Sequence, residues 1–289
     1  MIDELLLRCF HRLPAWLAWR FGDRVLQRIR AHDGGMAPRA VRCRGGFRLV
    51  VDPADWIGSH IAVRREFEAG LSRIVERYVG PGDHFVDVGA NIGYFSLLAA
   101  GLVGDAGRVS AFEASPVTRH ALLRNVRLNG IADRVVVFGA AAWDGDSELT
   151  LHQGPVENAG LSTLGGDARS IDSFTVRAVA LDDCLPFHDH PVRFVKIDVE
   201  GAEYHVLLGM RRIIDACRPV IALELSPRFL ARLDHTSAEV LDLLSVDLGY
   251  SAYDYDDKGA LSPANVAALR SEQDQQNNLV LLPPEAPAR

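Results

Sequence analysis

Lysine is almost missing from this 289-residue chain: all but two of its 31 basic residues are arginine, leaving Lys196 and Lys258. The bias carries little chemistry by itself, but it singles out Lys196, which interrupts an apolar run. Cysteine is scarce too. Cys9, Cys43, Cys184 and Cys217 lie far apart with no C-x-x-C pair, which excludes a zinc ribbon or a disulfide framework and fits reduced thiols at a cytoplasmic address. No uninterrupted apolar run reaches the ~20 residues needed to span a bilayer. Leu5 to Leu7 could begin a leader, but Arg8, Arg12 and Arg20 break it, so no signal peptide is read. Net positive charge is also absent. At −7 the chain is a poor candidate for general nucleic-acid binding.

What is present is enough apolar sequence for a large core, 48% of residues, beside 24% charged. The charge is uneven: residues 1–50 hold ten arginines against four acids, so the remainder is strongly acidic. Residues 1–80 are read as an N-terminal helical extension and cap, 81–284 as the main domain, and 285–289 as a frayed tail. The apolar spacing over Leu5 to Ile29 suits a helix packed on its neighbour. The arginines of residues 1–30 would also suit peripheral contact with anionic lipid, which is the less favoured reading. Phe47 to Val51 is strand-like, and Asp55 to Tyr78 reads as one helix.

Beyond Pro81-Gly82-Asp83 the pattern alternates. Strands are expected at His84–Val88, Arg108–Phe112, Arg134–Phe138, Arg193–Ile197 and Pro219–Leu225, with helices over Tyr94–Leu102, Pro116–Asn129 and from the end of the fourth strand to about Ala216. Residues 144–173 read as a hairpin or loop insertion. Tyr250–Tyr255 and Leu279–Leu282 close the chain with no clear helix between them, so one is expected to run antiparallel at an edge. The alternation predicts an α/β fold with a mostly parallel sheet and helices on both faces.

The densest chemistry follows the first of these strands. Gly89 permits close backbone approach after the buried run ending in Asp87-Val88, Ala90 and Asn91 fill the turn, and Gly93 opens the helix. Glu113 ends the second strand, twenty positions beyond Gly93, where an acid can accept two hydrogen bonds from a ribose diol. The turn is G-x-N-x-G, not the G-x-G-x-x-G of dinucleotide sites, and Asp87 would be unfavourable beside a pyrophosphate. A cationic, phosphate-free ligand fits better, and S-adenosylmethionine is one. The bland alternative is a glycine turn that merely joins a strand to a helix.

DVGANIGYFSL (Asp87 to Leu97), AFEASP (Ala111 to Pro116) and VKIDVEGAEYHVLLGM (Val195 to Met210) closely resemble the FkbM-type family of S-adenosylmethionine-dependent methyltransferases. The resemblance extends through Asn125, Asn129, Leu181-Asp182-Asp183, Glu224 and Asn278-Leu279-Val280, over roughly residues 45–284. It departs at Ala114-Ser115, where the family often has proline, but the acid at 113 is kept. It implies a Rossmann-like class I methyltransferase fold with a seven-stranded sheet, S-adenosyl-L-methionine as cofactor, and Asp87, Gly89, Ala90, Asn91, Gly93 and Glu113 around it. It also implies an acceptor bearing a hydroxyl: a sugar of a glycan or glycolipid, or a polyketide-type natural product.

The fourth strand would end beside the transferred methyl. Strand alternation puts Lys196 and Asp198 on one face. Asp198 is the first candidate for removing the acceptor's proton or orienting it, and Glu200 the second; Lys196 would hold Asp198 ionised or anchor an anionic acceptor. Glu203 reads as a helix-start acid. His188-Asp189-His190 lies between prolines with no third ligand nearby, so no metal site is assigned. Asp182-Asp183 and Asp254 to Asp257 read as turn and surface acids. Asn158 to Thr163 could close over a substrate, and Glu68 could reach the cofactor edge, although a surface helix acid is the plainer reading. A nucleotide-dependent oxidoreductase and a non-catalytic glycan- or membrane-associated module are the rival functions.

Overall fold

The computed structural model describes residues 7, 10, 11, 22, 24–28, 37–154, 162–165 and 172–284. The arginine-spaced segment, most of Asn158 to Thr163 and the tail from 285 therefore lie mainly outside the described residues. The first described elements are a hairpin, β1 (Arg39–Arg42) and β2 (Arg48–Val51), followed by α1 (Trp56–Arg64) and α2 (Ala69–Tyr78). The single helix expected over 55–78 is thus broken. Arg65 closes α1 in the left-handed region (φ 58°) and Glu68 precedes α2 at φ 42°. No glycine or proline announces the break. Tertiary bonds hold it: Arg44 N–H donates to Arg65 O, and Ser72 Oγ–H to Phe67 O.

The alternating region matches its expected pattern closely: β3 (His84–Val88), α3 (Tyr94–Val103), β4 (Arg108–Phe112), α4 (Pro116–Asn129) and β5 (Val135–Phe138). β6 (Ala141–Ala142), β7 (Ser147–Gln153) and β8 (Asp172–Val179) form a small separate sheet; β7 and β8 pair antiparallel, but the second strand runs on to Val179, beyond the 144–173 bounds of the expected hairpin or loop. The short α5 (Leu181–Cys184) leads to β9 (Val192–Ile197). The helix expected after it is two, α6 (Glu203–Leu208) and α7 (Arg211–Cys217). At the junction Gly209 packs so tightly that a Cβ would stand 1.8 Å from Trp143 O. Asp182 is not a surface acid: it accepts from the Arg212 and Ile213 amides and so caps α7.

β10 (Val220–Leu225), α8 (Pro227–Leu230), α9 (Ser237–Asp242), β11 (Ser251–Tyr255), β12 (Leu261–Pro263), α10 (Val266–Ser271) and β13 (Asn277–Leu282) complete the chain. The main sheet runs β12-β11-β13-β10-β9-β3-β4-β5. The seven anticipated strands are all there, and β12 adds an eighth at the edge. β13 is reversed, but it lies between β10 and β11 and is not at the edge. A short helix, α10, does separate the last two expected strands.

Side-chain alternation sorts the core onto the two faces of this sheet. Val86, Val88, Val195, Ile197, Ile221 and Leu223 pack with α6, α7 and α9. Phe85, Phe194, Val220 and Ala222 pack with α2, α3, α4 and the β1–β2 hairpin. On this second face Asp87, Lys196, Asp198 and Glu224 fall into step at the carboxyl ends of the strands; Asp87 and Lys196 are register partners across β3 and β9. Asn125, fully buried, fastens the hairpin to the site. Its Oδ1 accepts from Val50 N–H at 2.8 Å, while its Nδ2 donates to Ile92 O at 2.9 Å.

Candidate functional site

Three residues of the turn after β3 adopt positive φ: Gly89 (75°), Asn91 (51°) and Gly93 (95°). Glycine bears this freely and asparagine tolerates it, which is the physical content of the G-x-N-x-G pattern. Gly89 has a second reason. A Cβ there would stand 1.8 Å from Asp198 O, so the turn can lie against the end of β9 only without a side chain. The Asn91 amide donates to Glu113 Oε2 at 2.9 Å and the Ser115 amide to Oε1 at 2.8 Å, locking that carboxylate against the turn.

A cavity of about 580 Å³ opens at this edge of the sheet, within the range of small-molecule sites. Gly89, Ala90, Asn91 and Glu113 line it, as do Lys196, Asp198 and Glu200. Asp87 and Gly93 do not. Asp87 is wholly buried beneath the turn, where its Oδ2 accepts from Ser96 Oγ–H at 2.5 Å and its Oδ1 stands 4.0 Å from Lys196 Nζ. Gly93 instead makes room for Leu122. Both therefore act on the site from behind.

The sequence pattern assigns no site role to Glu224 and allows Glu68 to reach the cofactor edge while favouring a surface position; both line the cavity with Trp56, Phe67, Phe229 and Asn278. Glu224 was legible in principle, since it shares the face of Asp198 one strand over. Glu68 was not, because it reaches the cavity only through the break between α1 and α2. Five carboxylates (Glu68, Glu113, Asp198, Glu200, Glu224) thus face one cation, Lys196, among the cavity residues.

The ion pair Lys196 Nζ–Asp198 Oδ2 spans 2.9 Å, and the ammonium sits 5.4 Å from the Phe95 ring centroid. Burial would push the Lys196 pKa down, but Asp198, Asp87 and Glu68 outweigh it and hold the ammonium charged. The unpaired acids respond the other way. Burial, reinforced by Asp198, pushes Glu68 up to about 7 and Glu200 up to about 8. Glu224 rises to about 10 for the same two reasons. Burial lifts Glu113 to about 7 against its two backbone hydrogen bonds. Glu200 does not cap the helix; its Oε2 is buried without a hydrogen-bond partner. Glu203 is the helix-start acid, accepting from Gly201 N–H.

One carboxylate oxygen from each of Asp198, Glu200 and Glu224 lies within 4.8 Å of the others, a hard-oxygen set able to close on a cation. His188, Asp189 and His190 form no such group among the described residues. Thr163 Oγ1 donates to Glu200 O, and Ser162 and Leu164 line the cavity, so the end of the Asn158 to Thr163 stretch does meet the site.

A methyltransferase FkbM domain model matches residues 87–255, more than half of the chain. Comparison with curated proteins yields no significant match. Among solved structures, methyltransferase FkbM from Methylobacillus flagellatus KT is 18% identical with a TM-score of 0.43, covering 79% of this chain. This chain spans 55% of that protein's length. An O-methyltransferase from Bacillus cereus in complex with SAH is 16% identical (TM-score 0.39), over 74% of this chain and 77% of that one. A SAM-dependent O-methyltransferase from Thermotoga maritima is 12% identical (TM-score 0.41), over 85% of each chain. The glycine turn and the VKIDVEGAE block fall inside the matched residues, and the chain belongs to the FkbM methyltransferase family.

Proposed function

We propose that the chain methylates a hydroxyl oxygen of a sugar unit, glycan or hydroxylated natural product. The observation that carries this reading is the charge of the cavity: five carboxylates and one ammonium at the carboxyl edge of a parallel sheet. Such a site favours a cationic, phosphate-free ligand, and it offers a proton acceptor beside it.

The bound donor supplies an electrophilic methyl on a good, neutral leaving group, so positioning and proton removal are what the protein adds. Glu113 accepts hydrogen bonds from the ribose hydroxyls with the lone pairs its two backbone donors leave free. The Asn91 and Ala90 backbone borders the same part of the cavity. Asp198, fixed by Lys196, orients the acceptor hydroxyl. Glu200 takes the proton, since it lines the cavity and its raised pKa of about 8 suits a base working near neutrality. Trp56 and Phe67, in edge contact on the cavity lining, give an apolar ring surface for the acceptor. Three scattered free thiols among the described cysteines accord with a reducing cytoplasm.

Calorimetric titration with S-adenosylmethionine and S-adenosylhomocysteine tests the cofactor part, with NAD as control. Glu113→Ala is expected to weaken both by about 1–3 kcal/mol, as for hydrogen bonds lost from a charged acceptor. Radiolabelled methyl transfer to a panel of hydroxylated acceptors tests the rest. Glu200→Gln should lower kcat about 10²- to 10⁴-fold while leaving cofactor affinity within a few fold. Label found on nitrogen or carbon would overturn O-methylation.

A further inference from the structure

We propose that Glu203 is a positioning residue for methyl transfer: its buried carboxylate holds the turn after β9 in the shape that keeps Glu200 on the cavity wall. The proposal rests on the reading of Glu200 as the proton acceptor. Asp198, Val199, Glu200 and Ala202 line the cavity, whereas Glu203 does not. One carboxylate oxygen of Glu200 lies within 4.8 Å of its counterparts on Asp198 and Glu224, so the course of the Glu200 backbone decides whether the three acids meet.

That backbone needs holding. Glu200 and Gly201 are consecutive residues at positive φ, 54° and 109°. Glycine adopts this freely, but a glutamate stays there only where its surroundings over-determine it. Gly201 lies so close to α8 that a Cβ would stand 2.5 Å from Phe229 O, which fixes where the turn sits. Two hydrogen bonds then act on one peptide group, the one joining Glu200 to Gly201. Thr163 Oγ1–H donates to its carbonyl, Glu200 O, at 3.2 Å, and Glu203 Oε1 accepts from its amide, Gly201 N–H, at 3.1 Å. In a trans peptide the carbonyl and the amide point opposite ways, so the plane is gripped at both ends. Its orientation sets ψ of Glu200 and φ of Gly201 together.

Starting α6 does not by itself call for such a residue. Exposed Thr236 caps α9 and exposed Asn265 caps α10, each with a short side chain in contact with water. Glu203 is instead 1% exposed. Burial pushes its pKa up to about 7, against the pull of the Gly201, Glu203 and Val199 amides and with Asp198 adding to the rise. All three amides belong to the turn itself, so the carboxylate gathers the turn around it. Burying one more acid beside Asp198 and Glu200 costs stability that an exposed cap would not. The cost is explained if the shape of the turn serves the reaction.

The test compares Glu203→Ala with Glu203→Gln in the full chain with S-adenosylhomocysteine bound. Crystal structures, or the Glu200 Cα chemical shift, should show Glu200 leaving the left-handed region in the alanine variant. In the glutamine variant it should stay, because the side-chain amide oxygen still accepts from Gly201 N–H. Should the alanine variant fail to fold, Glu203→Asp takes its place, since the shorter side chain withdraws the acceptor and keeps the charge. Methyl transfer to a hydroxylated acceptor should lose about 10- to 100-fold in kcat, with KM for S-adenosylmethionine within about twofold, and recover in the glutamine variant. A merely structural acid would lower the melting temperature and the active fraction, counted by S-adenosylhomocysteine titration, but not kcat per active site. Adding Glu203→Ala to Glu200→Gln should slow the enzyme no further, because Glu203 acts through Glu200. If Glu200→Gln alone leaves kcat unchanged, the reading of Glu200 as base fails, and the backbone measurement still decides the positioning. A Glu200 that keeps its φ without Glu203, or kcat losses that multiply in the double variant, would overturn the proposal.

Discussion

Glu224 shows what burial does to a single acid. It stands on β10 beside Asn278, faces the carboxylates of Asp198, Glu200 and Glu68, and is pushed from 4.5 up to about 10. In the folded protein it keeps a proton that the unfolded chain gives up near pH 4.5. Between those values the native state binds more protons than the unfolded state, so stability falls as pH rises. Glu200, Glu113, Glu68 and Glu203 act in the same direction up to about 7 or 8. Urea unfolding of the ligand-free protein at pH 7 and pH 9 should therefore give lower stability at 9. Glu224→Gln mimics the protonated acid at every pH. Its advantage over the wild type should widen across this window, by at most about 1.4 kcal/mol per unit. A gap that stays constant or narrows would contradict the assignment.

Among the elements, the turn between β3 and α3 is the most demanding, and a glycine in it can be contrasted by mutation with one inside α3. Gly89 has positive φ and lies in contact with the Asp198 carbonyl, so Gly89→Ala combines backbone strain with a clash. A loss of about 2–4 kcal/mol and of cofactor binding is expected in thermal and calorimetric measurements. Gly101, inside α3, is exposed and has nothing within 4 Å of a built Cβ. Gly101→Ala should add about 0.5–1 kcal/mol from helix propensity alone. The same contrast explains what was readable in advance. β3, β4 and β9 could be placed nearly to the residue because each is a short apolar run stopped by Gly89, Glu113 or Asp198, and local chemistry marks such ends. The break at Arg65–Glu68 could not be placed, because the left-handed residues are an arginine and a glutamate and the bonds that hold them come from Arg44 and Ser72. For that reason the sequence favours a surface position for Glu68 over the cofactor edge. The reversed β13 escaped placement for another: periodicity reports that a strand exists, whereas its neighbours are chosen by the whole sheet.

Across the molecule, the acidic excess seen in the sequence beyond residue 50 is partly concentrated at one end of one sheet. The −7 net charge does not describe that end, where five carboxylates share Lys196. One ammonium cannot balance five buried carboxylates, so without a cationic ligand the rest hold protons, and burial raises the pKa values of Glu68, Glu113, Glu200 and Glu224 accordingly. A cationic ligand that enters should lower those values and expel protons, so its affinity must rise with pH through the range in which they titrate. S-adenosylmethionine carries a sulfonium and S-adenosylhomocysteine a neutral thioether in the same position, while the amino and carboxyl groups are common to both. Their affinity ratio therefore isolates the sulfonium. Titration at pH 6 and pH 8 should show the ratio moving toward S-adenosylmethionine at the higher pH, with more protons released per mole of the sulfonium ligand in buffers of differing ionisation enthalpy. A ratio independent of pH would mean that the cluster is neutralised by something other than the methyl donor, and Asp198, Glu200 and Glu224, whose oxygens already approach within 4.8 Å, would be the place to look for it.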